Sequence, residues 1–266
     1  MHNAAFAAAG IDAEYVLAEL DEADVARAVA AARGVDWLGL GVTAPYKRLV
    51  AGLVDTVEPE AATIGAVNHV AKDGAGRLVG FNTDAPGFQA GVELAMGRPL
   101  TGVDVVVAGA GGAAHAVVFG CLAGGARRVT IANRTPGPGE ALVARFRGVG
   151  TGSVSAVPLD GAEVIDALRS ADLAVNATTV GMIDPGSAFN VELLLPESTV
   201  FDLVYVPAET PLVANARARG LRAANGSEML IAQAAIAFER WTGVGGMAGV
   251  MRDAVAPLLA DATATA

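Results

Sequence analysis

Cysteine is almost absent from this sequence: its 266 residues include only Cys121. One thiol excludes an internal disulfide framework and any cysteine-cluster metal site, and it suits a reducing compartment. Histidine is scarce as well. His2, His69 and His115 lie far apart and share no metal-ligand spacing. Of the 18 basic residues only Lys47 and Lys72 are lysines, so a lysine inside a motif carries unusual weight. Basic charge is deficient overall, because 28 acidic residues leave a net charge of −10. That argues against nucleic acid or an anionic membrane as a partner, since both select basic surface. Met1-His2-Asn3 opens neither a basic n-region nor an apolar h-region, so no signal peptide is expected and a cytoplasmic location is. The uncharged stretch 105–126 has the length of a membrane span. Six of its residues are glycines, with Gly109, Gly111 and Gly112 clustered, so strand–turn–helix is the better reading.

Apolar residues (53%) and glycine (33 residues) are abundant. The first rules out wholesale disorder, the second supplies tight turns, and the length suits one or two domains. The periodicity alternates between strand-like and helix-like along the chain. Strands are expected at Glu14–Leu20 and Trp37–Val42, with helices at Glu22–Arg33 and from Tyr46 after Pro45. Ala66–Val70 and Arg77–Phe81 read as a hairpin, followed by a helix that Asp84 caps and that runs to Met96. From Val103 the rhythm is regular. Strands at Asp104–Ala108, Arg128–Ala132, Ser153–Val157, Leu173–Ala177, Val200–Val204 and Leu221–Ala224 alternate with helices, and two helices close the chain. Repeated β-α units with apolar strands mean an α/β fold with a parallel sheet covered on both faces. The domain boundary is expected near Gly97-Arg98-Pro99.

The strand Asp104–Ala108 runs into Gly109-Ala110-Gly111-Gly112-Ala113-Ala114, a G-x-G-x-x-A pattern that opens a helix. Gly109 permits the turn, Gly111 lets the backbone approach a pyrophosphate, Ala114 permits close packing, and the helix N-terminus faces the anion. The next strand ends at Asn133-Arg134-Thr135. An NAD site usually carries an Asp or Glu there for the ribose. A guanidinium at Arg134 suits a 2′-phosphate instead and favours NADP. Other polar strand ends are Val42-Thr43-Ala44-Pro45-Tyr46-Lys47, Gly65-Ala66-Val67-Asn68 and Asn82-Thr83-Asp84. Taken singly, each reads as a helix start or cap. Together they mark the end of an α/β sheet where ligands bind.

In their order, these motifs resemble the shikimate dehydrogenase family. Asn176-Ala177-Thr178-Thr179-Val180-Gly181, Asp202-Leu203-Val204-Tyr205-Val206-Pro207 and Met229-Leu230-Ile231-Ala232-Gln233 add to the match, which covers nearly the whole chain. The resemblance implies two α/β domains. A substrate domain is built from both chain ends (1–97 and 228–266) and a Rossmann-type dinucleotide domain from the middle (98–227). It implies reversible reduction of 3-dehydroshikimate to shikimate by NADPH, with NAD as the alternative cofactor. Lys47 matches the catalytic lysine and Asp84 its carboxylate partner. Hydride addition to a ketone builds alkoxide charge that an ammonium stabilises and protonates. Thr43, Asn68, Tyr205 and Gln233 match substrate-contacting positions. Gly109, Ala110, Gly111, Gly112, Ala113, Asn133, Arg134, Thr135, Thr178 and Gly226 match the cofactor site. The implied partner is a small cyclohexene or cyclohexane carboxylate, taken by a monomer or homodimer.

The sequence departs from the family pattern in several places. The family begins with a strand and a Ser-x-Ser loop that binds the substrate carboxylate, whereas this chain begins inside the helix that follows them. The expectation is that Met1 is an internal methionine of a longer reading frame; the alternative is a truncated homologue with impaired substrate binding. Gly41 replaces Asn, His69 replaces Thr, His115 replaces Arg, and Pro138 takes the place of a second arginine for the 2′-phosphate. Two other readings stay open: a quinate/shikimate or aminoshikimate dehydrogenase, and a dinucleotide-binding homologue that no longer catalyses.

Overall fold

The computed structural model describes residues 1–183 and 185–264, and the chain forms two units. The first comprises Met1–Asp84 with Ile231–Val255, and the second Ala85–Leu230 with the stretch from Ala256. The divisions fall inside three helices, after Asp84, after Leu230 and after Val255.

In the first unit the chain runs α1 (His2–Ala9), α2 (Glu22–Ala31), β1 (Gly39–Gly41), α3 (Lys47–Ala51), β2 (Thr56–Val57), α4 (Pro59–Ile64), β3 (His69–Lys72) and β4 (Leu78–Phe81). Asp21 caps α2 by accepting the Asp24 N–H at 2.8 Å. Val25, Val29 and Ala32, at helical spacing, are buried with Val50, Ala61, Val67, Val70 and Leu78. The sheet order is β1-β3-β4-β2, antiparallel except for the parallel β2–β4 pair. The hairpin β3–β4 stands as expected. The strand expected at Glu14–Leu20 does not form a ladder. Residues 16–19 are exposed, and the Asn3 side chain binds the Tyr15 backbone instead, taking its N–H at 2.6 Å and donating to its carbonyl at 3.1 Å. This segment and residues 39–46 line a cavity of about 1000 Å³.

The second unit holds most of α5 (Asp84–Met96), then β5 (Asp104–Ala108), α6 (Gly112–Ala123), β6 (Arg128–Asn133), α7 (Pro136–Phe146), β7 (Ser153–Pro158), α8 (Ala162–Leu168), β8 (Leu173–Asn176), β9 (Thr199–Asp202), α9 (Pro211–Ala218) and β10 (Arg222–Asn225). The helix α10 (Ser227–Thr242) begins here and continues into the first unit, and α11 (Ala248–Ala264) closes the chain. The six strands are all parallel, in the order β10-β9-β8-β5-β6-β7. This is the parallel sheet that the apolar strands called for. Every residue of β5, β8 and β9 is buried. Residues 105–126 resolve into β5, the glycine turn and α6; among the described residues no helix is long and apolar enough to cross a membrane. The strand order reverses beside β5, which has β6 on one side and β8 on the other. At that point the loops after neighbouring parallel strands diverge and leave a crevice.

Candidate active site

In the first unit the backbone ladder draws three strand ends together. Asn68 donates its N–H to Phe81 O (3.1 Å) and accepts Val42 N–H (2.8 Å), while Val67 N–H reaches Lys47 O (3.0 Å). Lys47, the first residue of α3, therefore stands beside the start of α5. Its Nζ is 2.6 Å from Asp84 Oδ2. The other carboxylate oxygen accepts from Asn68 Nδ2 at 3.0 Å. The side chains of Lys47 and Asp84 are 30% and 15% exposed, so the pair is sheltered yet open to a ligand. Asp84 was expected as the helix cap. Instead Asn82 Oδ1 accepts the Asp84 N–H at 2.9 Å, and the Asp84 carboxylate is turned to the lysine.

Asn68 is 3% exposed, and its side-chain amide is engaged on both its nitrogen and its oxygen. Nδ2 donates to Asp84 and to Thr83 Oγ1 (3.1 Å), Oδ1 accepts from Thr83 N–H (2.8 Å), and His69 Nδ1 lies 3.0 Å from the same oxygen. A direct bond from Asn68 to a substrate hydroxyl requires displacing one of these. Burial drives the His69 pKa down to about 3, helped by the charges of His2 and Lys47. Thr43 is exposed, and its carbonyl accepts the Tyr46 N–H at 3.1 Å. The helix starts only at Lys47, so Thr43 and Pro45 form the turn before it rather than its cap. Gln233 on α10 is half-buried, and among the described residues its amide has no hydrogen-bond partner in the protein. It is not a core amide satisfied by backbone. Gly41 has a local cause, because a Cβ there would lie 2.6 Å from the Tyr15 hydroxyl oxygen.

In the second unit the glycine loop leaves β5 as expected. Gly109 has φ +103°, and a Cβ on it would lie 2.8 Å from Thr178 Cγ2. Gly111 caps α6, and a Cβ at Gly111 or Gly112 would meet nothing within 4 Å. The space over this helix N-terminus is open to an anion. Ala110 and Ala113 complete the turn, and Ala114 is fully buried, as close helix packing demands. His115 Nδ1 bonds Gly111 O at 3.1 Å. After β6, Asn133 Nδ2 donates to Thr135 O at 2.7 Å, folding the strand end over. Arg134 is exposed, and among the described residues its guanidinium forms no ion pair. These groups suit a dinucleotide with a 2′-phosphate: open amides for the pyrophosphate and an uncommitted cation for the extra charge. Tyr205, 36% exposed, stands in this unit, whereas Thr43, Lys47, Asn68, Asp84 and Gln233 belong to the first.

Sequence reading missed what fixes this loop layer. Asn176 Oδ1 accepts both Thr178 N–H (3.0 Å) and Thr178 Oγ1–H (2.6 Å), and its Nδ2 donates to Asp202 Oδ1 at 2.8 Å. Asp202 is fully buried and also takes the Thr210 hydroxyl at 2.6 Å. Burial raises its carboxyl pKa. Gly226 accepts the Leu230 N–H at the start of α10, and a side chain on it would run into Leu203 O. The signal for the Asn176–Asp202 link was present as two polar residues ending apolar strands.

Residues 1–70 match the family model described as the shikimate dehydrogenase substrate binding domain, and residues 226–256 match that of the shikimate 5′-dehydrogenase C-terminal domain. The chain is 42% identical over 254 residues to the shikimate dehydrogenase (NADP(+)) of Geobacter metallireducens, covering 95% of this chain and 88% of that one. Among solved structures it is similar to the shikimate 5-dehydrogenase of Thermus thermophilus in complex with NADP(H) and shikimate. That match has a TM-score of 0.84 at 37% identity, with 96% and 92% of the two chains covered. It is also similar to a quinate dehydrogenase from Corynebacterium glutamicum in complex with NAD, with a TM-score of 0.87 at 34% identity over 96% and 92%.

Proposed function

This chain belongs to the shikimate dehydrogenase family, and on that footing we propose that it reduces 3-dehydroshikimate reversibly to shikimate with NADPH. The observation that carries the reading is the Lys47–Asp84 pair, held at 2.6 Å with Asn68 on its second carboxylate oxygen. When bound, NADPH supplies the hydride to the carbonyl carbon. Lys47 then stabilises the growing alkoxide with its ammonium and passes a proton to that oxygen, which yields the hydroxyl and a neutral amine that water reprotonates. Asp84 holds the ammonium in place and balances its charge. The Gly109–Ala113 loop and the N-terminus of α6 take the pyrophosphate; Asn133, Arg134 and Thr135 take the ribose with its 2′-phosphate; Thr178 borders the Gly109 turn. Gln233 and Thr43 of the first unit supply polar groups for the ring substituents and carboxylate. The protein is read as a cytoplasmic monomer or homodimer.

The test is a spectrophotometric assay of reduced-nicotinamide formation with shikimate and with quinate, each with NADP and with NAD. Turnover of shikimate with NADP is expected. The similarity to an NAD-bound quinate dehydrogenase favours quinate oxidation as the second reading, and preferred turnover of quinate with NAD would replace the first. Silence with every pair, in protein that still binds NADP, would overturn both in favour of a non-catalytic homologue.

A further inference from the structure

We propose that His69 is a positioning residue for the reacting pair: its Nδ1–H holds the Asn68 amide in the one orientation that donates to Asp84. The proposal rests on reading Lys47 and Asp84 as that pair. His69 is the first residue of β3 and is 9% exposed. Its ring stacks on Phe81 (5.7 Å between centroids) and tilts against Trp241 (5.5 Å). These contacts fix the ring plane and so the direction of its nitrogens.

The hydrogen positions follow from the partners. A backbone N–H can only donate, so the Asn68 atom 2.8 Å from Thr83 N is the amide oxygen. His69 Nδ1 lies 3.0 Å from that same oxygen, which can only accept, and the proposal assigns the ring hydrogen to Nδ1. Thr83 Oγ1, 3.1 Å from the same Nδ1, takes one of the two Asn68 N–H groups at 3.1 Å. The remaining amide N–H goes to Asp84 Oδ1, whose partner oxygen meets Lys47. Turning the amide over would set its NH₂ against the Thr83 N–H and the His69 Nδ1–H, and its oxygen against the Asp84 carboxylate. Two donors thus select the orientation that supports Asp84, and one of them is His69. Because burial keeps the imidazole neutral, the donor stays the same across the ordinary pH range. His69 touches neither Lys47 nor Asp84 by a hydrogen bond in the structure; it acts through Asn68.

Two substitutions separate this role from packing. His69→Asn places an N–H where Nδ1 stands but removes the ring. His69→Phe keeps the ring and removes the donor. The expected result for His69→Phe is a kcat lower by roughly 10- to 100-fold, the scale of an unsatisfied buried acceptor, with KM for NADP unchanged. His69→Asn is expected to retain most of the turnover. A packing role gives the reverse order, and either wild-type kcat in His69→Phe or equal loss in both variants overturns the proposal. Circular dichroism checks folding. If His69→Phe does not fold, His69→Gln, whose amide lies one bond too far out, takes its place with the same outcomes. Nitrogen-15 spectroscopy of the wild-type protein is expected to find the neutral Nδ1–H tautomer, and an Nε2–H tautomer would refute the proposal. Lys47→Ala in the same assay is the control. Turnover surviving that change would overturn the reacting pair itself and the proposal with it, whereas its loss alongside an unaffected His69→Phe would overturn the proposal alone.

Discussion

Lys47 Nζ lies 2.6 Å from Asp84 Oδ2 although 37 positions of sequence separate the two residues. The pairing follows from the ladder, because β3 and β4 are antiparallel and Asn68 is bonded to Phe81 at their ends. If Lys47 acts mainly on the alkoxide, it contributes to the transition state more than to ground-state binding. Lys47→Ala is therefore expected to lower kcat by about 10²- to 10⁴-fold, the range for a positioned acid. NADP affinity, measured by fluorescence titration, should stay close to wild type. Unchanged turnover would remove Lys47 from the mechanism.

Arg134 makes no ion pair among the described residues and follows β6 where the ribose of a dinucleotide is read. Arg134→Ala is expected to weaken NADP binding by about 10- to 100-fold, the worth of a charge-assisted hydrogen bond to phosphate. NAD binding should change little. Calorimetric titration with both cofactors checks this, and equal losses for the two would point to general disruption of the loop.

Gly109 combines a backbone that L side chains rarely adopt with contact against Thr178. Gly109→Ala is expected to lower the thermal midpoint and to abolish tight NADP binding, because the turn must shift away from the α6 N-terminus. Gly111→Ala, where no protein atom is near, should leave the midpoint intact and weaken NADP only.

Two buried histidines make folding stability depend on pH. The pKa of His2 is lowered to about 4 and that of His69 to about 3, in both cases chiefly by burial, from 6.5. Between these values and 6.5 the unfolded chain binds more protons than the folded one, so stability rises with pH and is lost as pH falls. Asp55, Asp73 and Asp104 are lowered from 3.8, so their stabilisation fades only below that value. Asp202, raised by burial, acts in the opposite sense. The denaturation midpoint in urea should therefore drop from pH 7 to pH 5, and His69→Asn should flatten that drop. A flat wild-type profile would contradict the buried, neutral histidines.

Asp104 is almost buried yet faces two arginines, with Arg127 Nε at 2.8 Å and Arg128 at 2.6 Å. Asp104→Asn is expected to cost about 1–3 kcal/mol of stability, because the buried charge partner at the start of β5 is lost. Chemical denaturation measures it. Activity per folded molecule should persist, since no proposed site residue touches Asp104.

The sequence by itself determined what depends on local pattern. Short, mostly apolar stretches between turns marked β5, β6 and β8, and the glycine spacing after β5 marked a turn, which Gly109 makes with φ +103°, and a helix start with open space over it. The scarcity of lysine made Lys47 conspicuous. Tertiary structure decided whatever required a distant partner. Glu14–Leu20 is apolar enough to read as a strand but forms no ladder, and the Tyr15 backbone is bonded to the distant Asn3 side chain instead. Two-residue β2 and six-residue α4 are too short to show a period. The unit divisions fall inside α5, α10 and α11, because packing against the rest of the fold, not local pattern, divides the chain there. The Asn68–His69–Thr83 arrangement behind Asp84 joins residues about fifteen positions apart, and only the β3–β4 register brings them within hydrogen-bond reach. Periodicity reports which face of an element is buried; it carries no information about which polar group a folded neighbour will present to that face.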